Sequence, residues 1–206
     1  MNPYWDAILF DFDGVLADTE PLHYACWKEI LEDFGIELDR EYYFNNCVGT
    51  SDRFMIAQLA AQRVPPVAFE QLWAESERKR LMFFERIMAA PPFLPETVTL
   101  INKLSGFYRL AVVSSSGRSE VEPPIESAGI RACFAALVCG REVANLKPAP
   151  DPYLKAAELV GAKRPLVVED SDAGIASAVA AGFDVVRIPS PETVAAEVWS
   201  RLRTRI

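Results

Sequence analysis

The sequence predicts an α/β fold: a doubly wound, mostly parallel sheet interrupted by an all-helical insertion. Three observations predict it. Short unbroken apolar runs recur along the chain. Helical patterns alternate with the later ones. A long stretch after the first run carries helical patterns and no strand candidate.

The strand candidates are Ala7–Phe10, Leu110–Val113, Ala136–Cys139, Leu166–Val168 and Val185–Ile188. A parallel strand covered on both faces reads as a continuous apolar run rather than as an alternation. Pro95–Leu104 is a helical pattern that stops before Gly106. Pro152–Val160 is closed by Gly161 and Ala173–Ala181 by Gly182, and both glycines suit a left-handed position just past a helix. Pro191–Leu202 takes Ser190 as its N-cap and Pro191 in its first turn. Pro123-Pro124 predicts that the helix after the second strand begins there, late and short. Strand–helix alternation of this kind builds a doubly wound sheet.

Residues 18–90 differ. Pro21–Phe34 repeats apolar residues at helical spacing, with Leu22, Cys26 and Ile30 in one row and Trp27, Leu31 and Phe34 in another; Gly35 ends it. Phe54–Ala61 and Val67–Met88 are further helices, split at Pro65-Pro66. Pro91-Pro92 and Pro95 mark the return to the sheet. A connection this long far exceeds a single crossover. The chain therefore divides into an α/β domain of residues 1–17 and 91–206 and a helical domain of residues 18–90.

Composition narrows the function. With 206 residues, half of them hydrophobic, the chain can bury an ordinary core. Its 29 acidic residues against 21 basic ones give a net charge of −8, which argues against nucleic acid or an anionic membrane as partner. No apolar stretch reaches the ~20 residues of a membrane span. The N-terminus lacks a basic segment and a cleavage site. Cys26, Cys47, Cys133 and Cys139 show no Cys-x-x-Cys spacing and are expected reduced and buried in a cytoplasmic protein. One histidine leaves little room for a His-based metal site or a Ser-His-Asp triad. No evident apolar patch argues for association, so a monomer is expected.

The chemistry gathers where strands end, which is where open α/β sheets bind ligands. The first run ends in Asp11 and Asp13, two residues apart and so on one face of a strand. The second leads into Ser114, Ser115 and Ser116, and the fourth into Glu169, Asp170 and Ser171. Lys147 follows the third. Each cluster alone has a plainer reading, as a loop, a solvated lysine or a helix cap. Together they supply carboxylates, hydroxyls and one ammonium. Several carboxylates around a pocket suit a hard divalent ion such as Mg²⁺. A hydroxyl and a lysine suit phosphoryl oxygens. A carboxylate can attack phosphorus, and a second can move the proton. The constellation predicts Mg²⁺-dependent phosphoryl transfer through an acyl-phosphate.

The chain resembles the haloacid dehalogenase-like hydrolase superfamily over nearly its whole length. Phe10–Glu20 matches the first motif, Val113–Ser116 the second, Lys147-Pro148 the third, and Val168–Ser171 with Gly174 the fourth. The resemblance implies Asp11 as nucleophile and Asp13 as general acid/base. It implies Mg²⁺ held by Asp11, the Asp13 main-chain carbonyl and Asp170, with Glu169 assisting. Ser114, Ser115 and Lys147 would hold the phosphoryl group. An acid at Asp13 speaks against dehalogenation. The insertion resembles the superfamily's helical cap, of the β-phosphoglucomutase-like and phosphoglycolate-phosphatase-like branch, with hinges near Ala17–Asp18 and Ala89–Pro92. His23, Thr50, Arg53 and Lys79 are its candidate substrate contacts, although His23 also reads as an ordinary helix-surface histidine. The mutases carry an arginine directly after a cap Gly-x-Ser. Here Gly49-Thr50-Ser51 is followed by Asp52, and Arg53 comes one later, a turn of about 100° on a helix. A phosphatase of a small sugar or polyol phosphate is therefore expected ahead of a sugar phosphomutase, and ahead of a non-catalytic binding module.

Overall fold

The computed structural model describes residues 4–48, 52–63 and 65–203. The chain forms two compact units, Met1–Asp18 with Pro91–Ile206, and Thr19–Ala90.

The first unit holds five strands: β1 (Ala7–Phe10), β2 (Arg109–Val113), β3 (Phe134–Val138), β4 (Pro165–Glu169) and β5 (Asp184–Arg187). Their order is β3-β2-β1-β4-β5, and every neighbouring pair is parallel. Successive residues of a strand face opposite sides. Ile8, Phe10, Leu110, Val112, Leu166 and Val168 accordingly join one core, with α6 (Pro95–Leu104), α7 (Arg118–Ser127) and α10 (Val194–Arg203). Ala7, Leu9, Ala111, Val113 and Val167 face the other, with α8 (Asp151–Val160) and α9 (Asp172–Ala180).

β1 and α6 match their expected bounds, and β2 and β4 run slightly longer. β3 starts at Phe134, whose ring packs edge-on against Phe10. β5 is bounded by polar residues because it is an edge strand; Asp184 accepts a hydrogen bond from Trp5 Nε1 at 2.8 Å.

Two expectations in this unit need correction. α7 begins at Arg118, not at the prolines, which lie inside it. Its start is set at Gly117, whose N–H donates to the Glu120 carboxylate at 3.0 Å. The amide hydrogens that Pro123 and Pro124 lack are offset by burial of Val121, Pro124 and Ile125 on one face. Ser190 does not cap with its side chain. Its carbonyl instead accepts from both the N–H and the hydroxyl of Thr193 in a short 3₁₀ turn, and α10 starts after it at Val194.

The second unit is all helix: α1 (Glu20–Asp33), α2 (Arg40–Asn46), α3 (Asp52–Gln62), α4 (Phe69–Trp73) and α5 (Ser76–Ala89). α2 was not anticipated, although Asp39 marks its start by accepting from Tyr42 N–H at 2.7 Å. The run expected as one helix over Val67–Met88 breaks at Ala74-Glu75, where the Glu75 N–H bonds the Leu72 carbonyl. Trp27, Ile30, Leu31, Ile56 and Leu72 form the core of this unit; Cys26, Phe83 and Ile87 form a smaller cluster. None of the four cysteines forms a disulfide; three are buried, and Cys133 is only half-buried. Among the described residues no helix is long and apolar enough to cross a membrane.

Leu9 is fully buried in the central strand. Leu9→Ala is expected to cost about 2–5 kcal/mol, read as a lower urea midpoint of the α/β unit at unchanged slope.

Candidate active site

Parallel register delivers the site. Phe10 lies opposite both Val112 and Val168, so Asp11 emerges beside the ends of β2 and β4. The Asp11 N–H donates to the Val168 carbonyl at 3.0 Å. The sheet also changes winding direction at β1, with β2 and β3 on one side and β4 and β5 on the other. Such a switch point is where open sheets hold ligands.

Lys147 Nζ is the hub. It donates to Asp11 Oδ1 at 2.5 Å, Glu169 Oε1 at 2.6 Å and the Val113 carbonyl at 3.1 Å. Glu169 is fully buried and accepts more than this. Tyr153 OH donates to Oε1 at 2.9 Å, and the N–H groups of Asp170 and Ser171 and the Ser171 hydroxyl all reach Oε2 within 3.1 Å. Gly174 is required beside it, since a Cβ there would lie 1.6 Å from Glu169 Oε1. Asp13 Oδ2 accepts from the hydroxyls of Ser116 at 2.9 Å and Ser114 at 3.3 Å.

Asp11, Glu169 and Asp170 each bring a carboxylate oxygen within 4.8 Å of the others. Burial lifts the Asp11 carboxyl well above its usual range; Lys147 opposes this, and Glu169 and Asp13 add to it. Burial and then Glu169 push Asp170 up to about 6. Glu169 also feels burial, but Lys147, Ser171 and Tyr153 outweigh it and hold this carboxylate below its usual range. Burial works against the charge on Lys147, yet Asp11 and Glu169 hold the ammonium above its ordinary value. One ammonium does not balance these carboxylates. The raised acids and all-oxygen donor set therefore fit a hard divalent cation. Glu169 has five donors for about four lone-pair positions, so Asp11 and Asp170 are the better placed to bind it directly.

The sequence-predicted residues separate into groups. Asp11, Asp13, Ser114, Lys147, Glu169 and Asp170 come together as described. The Ser115 side chain is exposed; Ser116, two residues beyond Ser114, reaches Asp13 instead. Sequence reasoning could have weighted Ser116 by that spacing. Tyr153 gave no signal beyond an apolar helical position. In the helical unit His23 and Lys79 do pair, with Nζ 2.6 Å from Nδ1, and the His23 ring stacks on Phe83. Lys79 is buried and also donates to Asp52 Oδ2 at 2.9 Å. Arg53 lies over the stacked rings of Phe69 and Trp73, 5.0 and 5.6 Å from their centroids. Thr50, with Gly49 and Ser51, lies outside the described residues.

The sequence pattern of the haloacid dehalogenase-like hydrolase family matches residues 8–188. The chain belongs to this family. It is 30% identical to the fructose-1-phosphate phosphatase YqaB of Escherichia coli, over 91% of this chain and 98% of that one. The structure of CbbY from Rhodobacter sphaeroides in complex with phosphate is 29% identical and superposes with a TM-score of 0.69, covering 89% of this chain and 87% of that one. The β-phosphoglucomutase of Clostridium difficile shares the fold at 20% identity, with a TM-score of 0.74 and 96% of each chain covered. The chain is thus an enzyme of the phosphate-monoester hydrolase class.

The raised acids predict a pH dependence. Asp170 titrates near 6 in the folded chain and near 3.8 unfolded, so folding takes up a proton between these values. Its contribution is fully present below about pH 4 and lost as pH rises through 6. Without added divalent ions, stability should fall by about 1–2 kcal/mol between pH 5 and 7.5. Glu169 acts with the opposite sign, its share being lost at lower pH, outside this window. Urea unfolding across the range should show the slope, and Asp170→Asn should reduce it, leaving the part that the raised Asp11 carboxyl contributes with the same sign.

Proposed function

We propose that the chain is a Mg²⁺-dependent phosphatase of a small sugar or polyol phosphate, working through an aspartyl-phosphate on Asp11. The observation that carries this reading is the meeting of Asp11, Glu169 and Asp170 oxygens within 4.8 Å, with Lys147 on Asp11. A nucleophilic carboxylate needs positive charge beside it to accept an anionic phosphate. Asp11, Asp170 and the Asp13 main-chain carbonyl would hold the ion, with Glu169 assisting through Lys147. When bound, it supplies charge that offsets repulsion between carboxylate and phosphate.

The steps belong to the protein's own residues. Asp11 attacks phosphorus while Ser114 and Lys147 bind phosphoryl oxygens. The phosphorus–oxygen bond to the substrate breaks, and Asp13 gives its proton to the leaving oxygen. Asp13 then takes a proton from water, which attacks the acyl-phosphate and releases phosphate. The hydroxyls of Ser114 and Ser116 on Asp13 Oδ2 support this role by fixing its carboxyl.

The helical unit favours a phosphatase over a mutase. A mutase must also grip a second phosphate. Lys79 is already neutralised by Asp52, and the Arg53 guanidinium lies over Phe69 and Trp73. The sugar-phosphate activity named for the relative of 30% identity supports a similar substrate class.

The test is phosphate release with Mg²⁺ across a panel of sugar and polyol phosphates that includes β-glucose 1-phosphate. Release from one or a few members is expected, with Asp11→Asn reducing it at least about a thousandfold. Isomerised sugar phosphate without release would establish the mutase instead.

A further inference from the structure

We infer that Tyr153 is a positioning residue for catalysis, its hydroxyl fixing Glu169 and through it Lys147 against Asp11. This rests on the phosphatase reading above.

Tyr153 lies on α8, six residues after Lys147 and outside the residues to which the sequence motifs assign the chemistry. It is fully buried, among the apolar residues of the second core. A phenol is awkward to bury without a partner, and an apolar ring would fill the position without that burden. Its hydroxyl donates to Glu169 Oε1 at 2.9 Å, the same oxygen that accepts Lys147 at 2.6 Å. The ring also lies beneath the ammonium, with Lys147 Nζ 5.2 Å from its centroid. Tyr153 thus touches both members of the Glu169–Lys147 pair and neither Asp11 nor Asp13 by any hydrogen bond described. Burial and then Glu169 hold its phenol well above the usual range, so it remains a donor at any working pH.

The consequence is geometric. Glu169 Oε1 has two donors, from different elements, and together they fix where that oxygen sits. Without the hydroxyl, Lys147 becomes its main support, and the ammonium is drawn toward Glu169 and off Asp11. The reacting carboxylate would then lose part of the charge that lets it meet a phosphate. Oε2, held by the backbone of Asp170 and Ser171, is untouched. Lys147, still held by Glu169 and the Val113 carbonyl, stays in reach of a phosphoryl group, so the loss should fall mainly on the chemical step.

Tyr153→Phe keeps the ring and removes only the hydroxyl. Assayed with Mg²⁺ on an aryl phosphate, it should lower kcat about tenfold with KM within about twofold, the size expected for losing one hydrogen bond to a charged group. Glu169→Gln tests the route: on that background Tyr153→Phe should cost less than about twofold, because the two residues act through one contact. If Glu169→Gln does not fold, Glu169→Asp takes its place in the cycle. A second readout needs no turnover. In metal-free protein the Lys147 ammonium, held by three acceptors, should give a protected ¹⁵N NMR signal that is lost or shifted in Tyr153→Phe. An active wild type whose Tyr153→Phe variant keeps kcat within twofold would overturn the inference and leave the phosphatase reading standing. So would equal costs on both backgrounds, an unchanged lysine signal, or a loss of activity that merely follows a fall in Tm. A wild type inactive on every phosphate ester would instead sink the phosphatase reading itself.

Discussion

The site depends on the ammonium of Lys147. It is almost fully enclosed, and its three acceptors come from the ends of β1, β2 and β4. A buried charge without partners would cost several kcal/mol. Here the partners are two carboxylates and a carbonyl, so the same contact satisfies the lysine and ties three strand ends together. Neither carboxylate would sit easily in this setting alone. Asp11 and Glu169 face each other across the lysine, and each is buried. The lysine makes their proximity tolerable, and the strand register makes it unavoidable.

The strands and the chemistry at their ends were legible in the sequence, but their order and register were not. Continuous apolar runs such as Ile8-Leu9-Phe10 and Leu166-Val167-Val168 signal strands covered on both faces, and each ends in acid. In a parallel sheet such ends share one edge, and Asp11 and Glu169 meet because β1 and β4 are neighbours in register. Local signals failed where tertiary packing decided the outcome. Pro123 and Pro124 argue against a helix interior, yet Val121 and Ile125 bury the face that keeps α7 helical through them. The short α2 escaped because its apolar pattern is weak, and its one clear mark is the capping carboxylate of Asp39. Tyr153 escaped because helical spacing explains it fully as core. Its hydroxyl matters only through a contact 16 residues away in sequence.

The polar residues of the helical unit carry a different lesson. His23, Lys79 and Asp52 come from three helices and form one chain of contacts, Lys79 bonding to both of the others. Spacing alone cannot foresee this, since α1, α3 and α5 are far apart in sequence. Phe83 stacks on the imidazole, so His23 is held by an aromatic face as well as by the lysine. The one-residue displacement of the arginine proved informative in a way its position did not announce. As part of α3, Arg53 turns toward Phe69 and Trp73, while the acid before it meets Lys79. A cation that has found an aromatic face and another that has found a carboxylate are both poorly suited to gripping a further anion.

Charge balance is the last constraint. Asp11, Glu169 and Asp170 bring three carboxylates to a site with one ammonium. Two of the three are displaced upward in pKa, and the one that is not, Glu169, has its oxygens filled by donors. The unmet negative charge therefore concentrates on Asp11 and Asp170. A divalent cation held by Asp11 and Asp170 would favour their anionic forms and add to the charge that Lys147 already places beside Asp11. The surplus of carboxylate over ammonium is thus the feature of this site that calls for added positive charge.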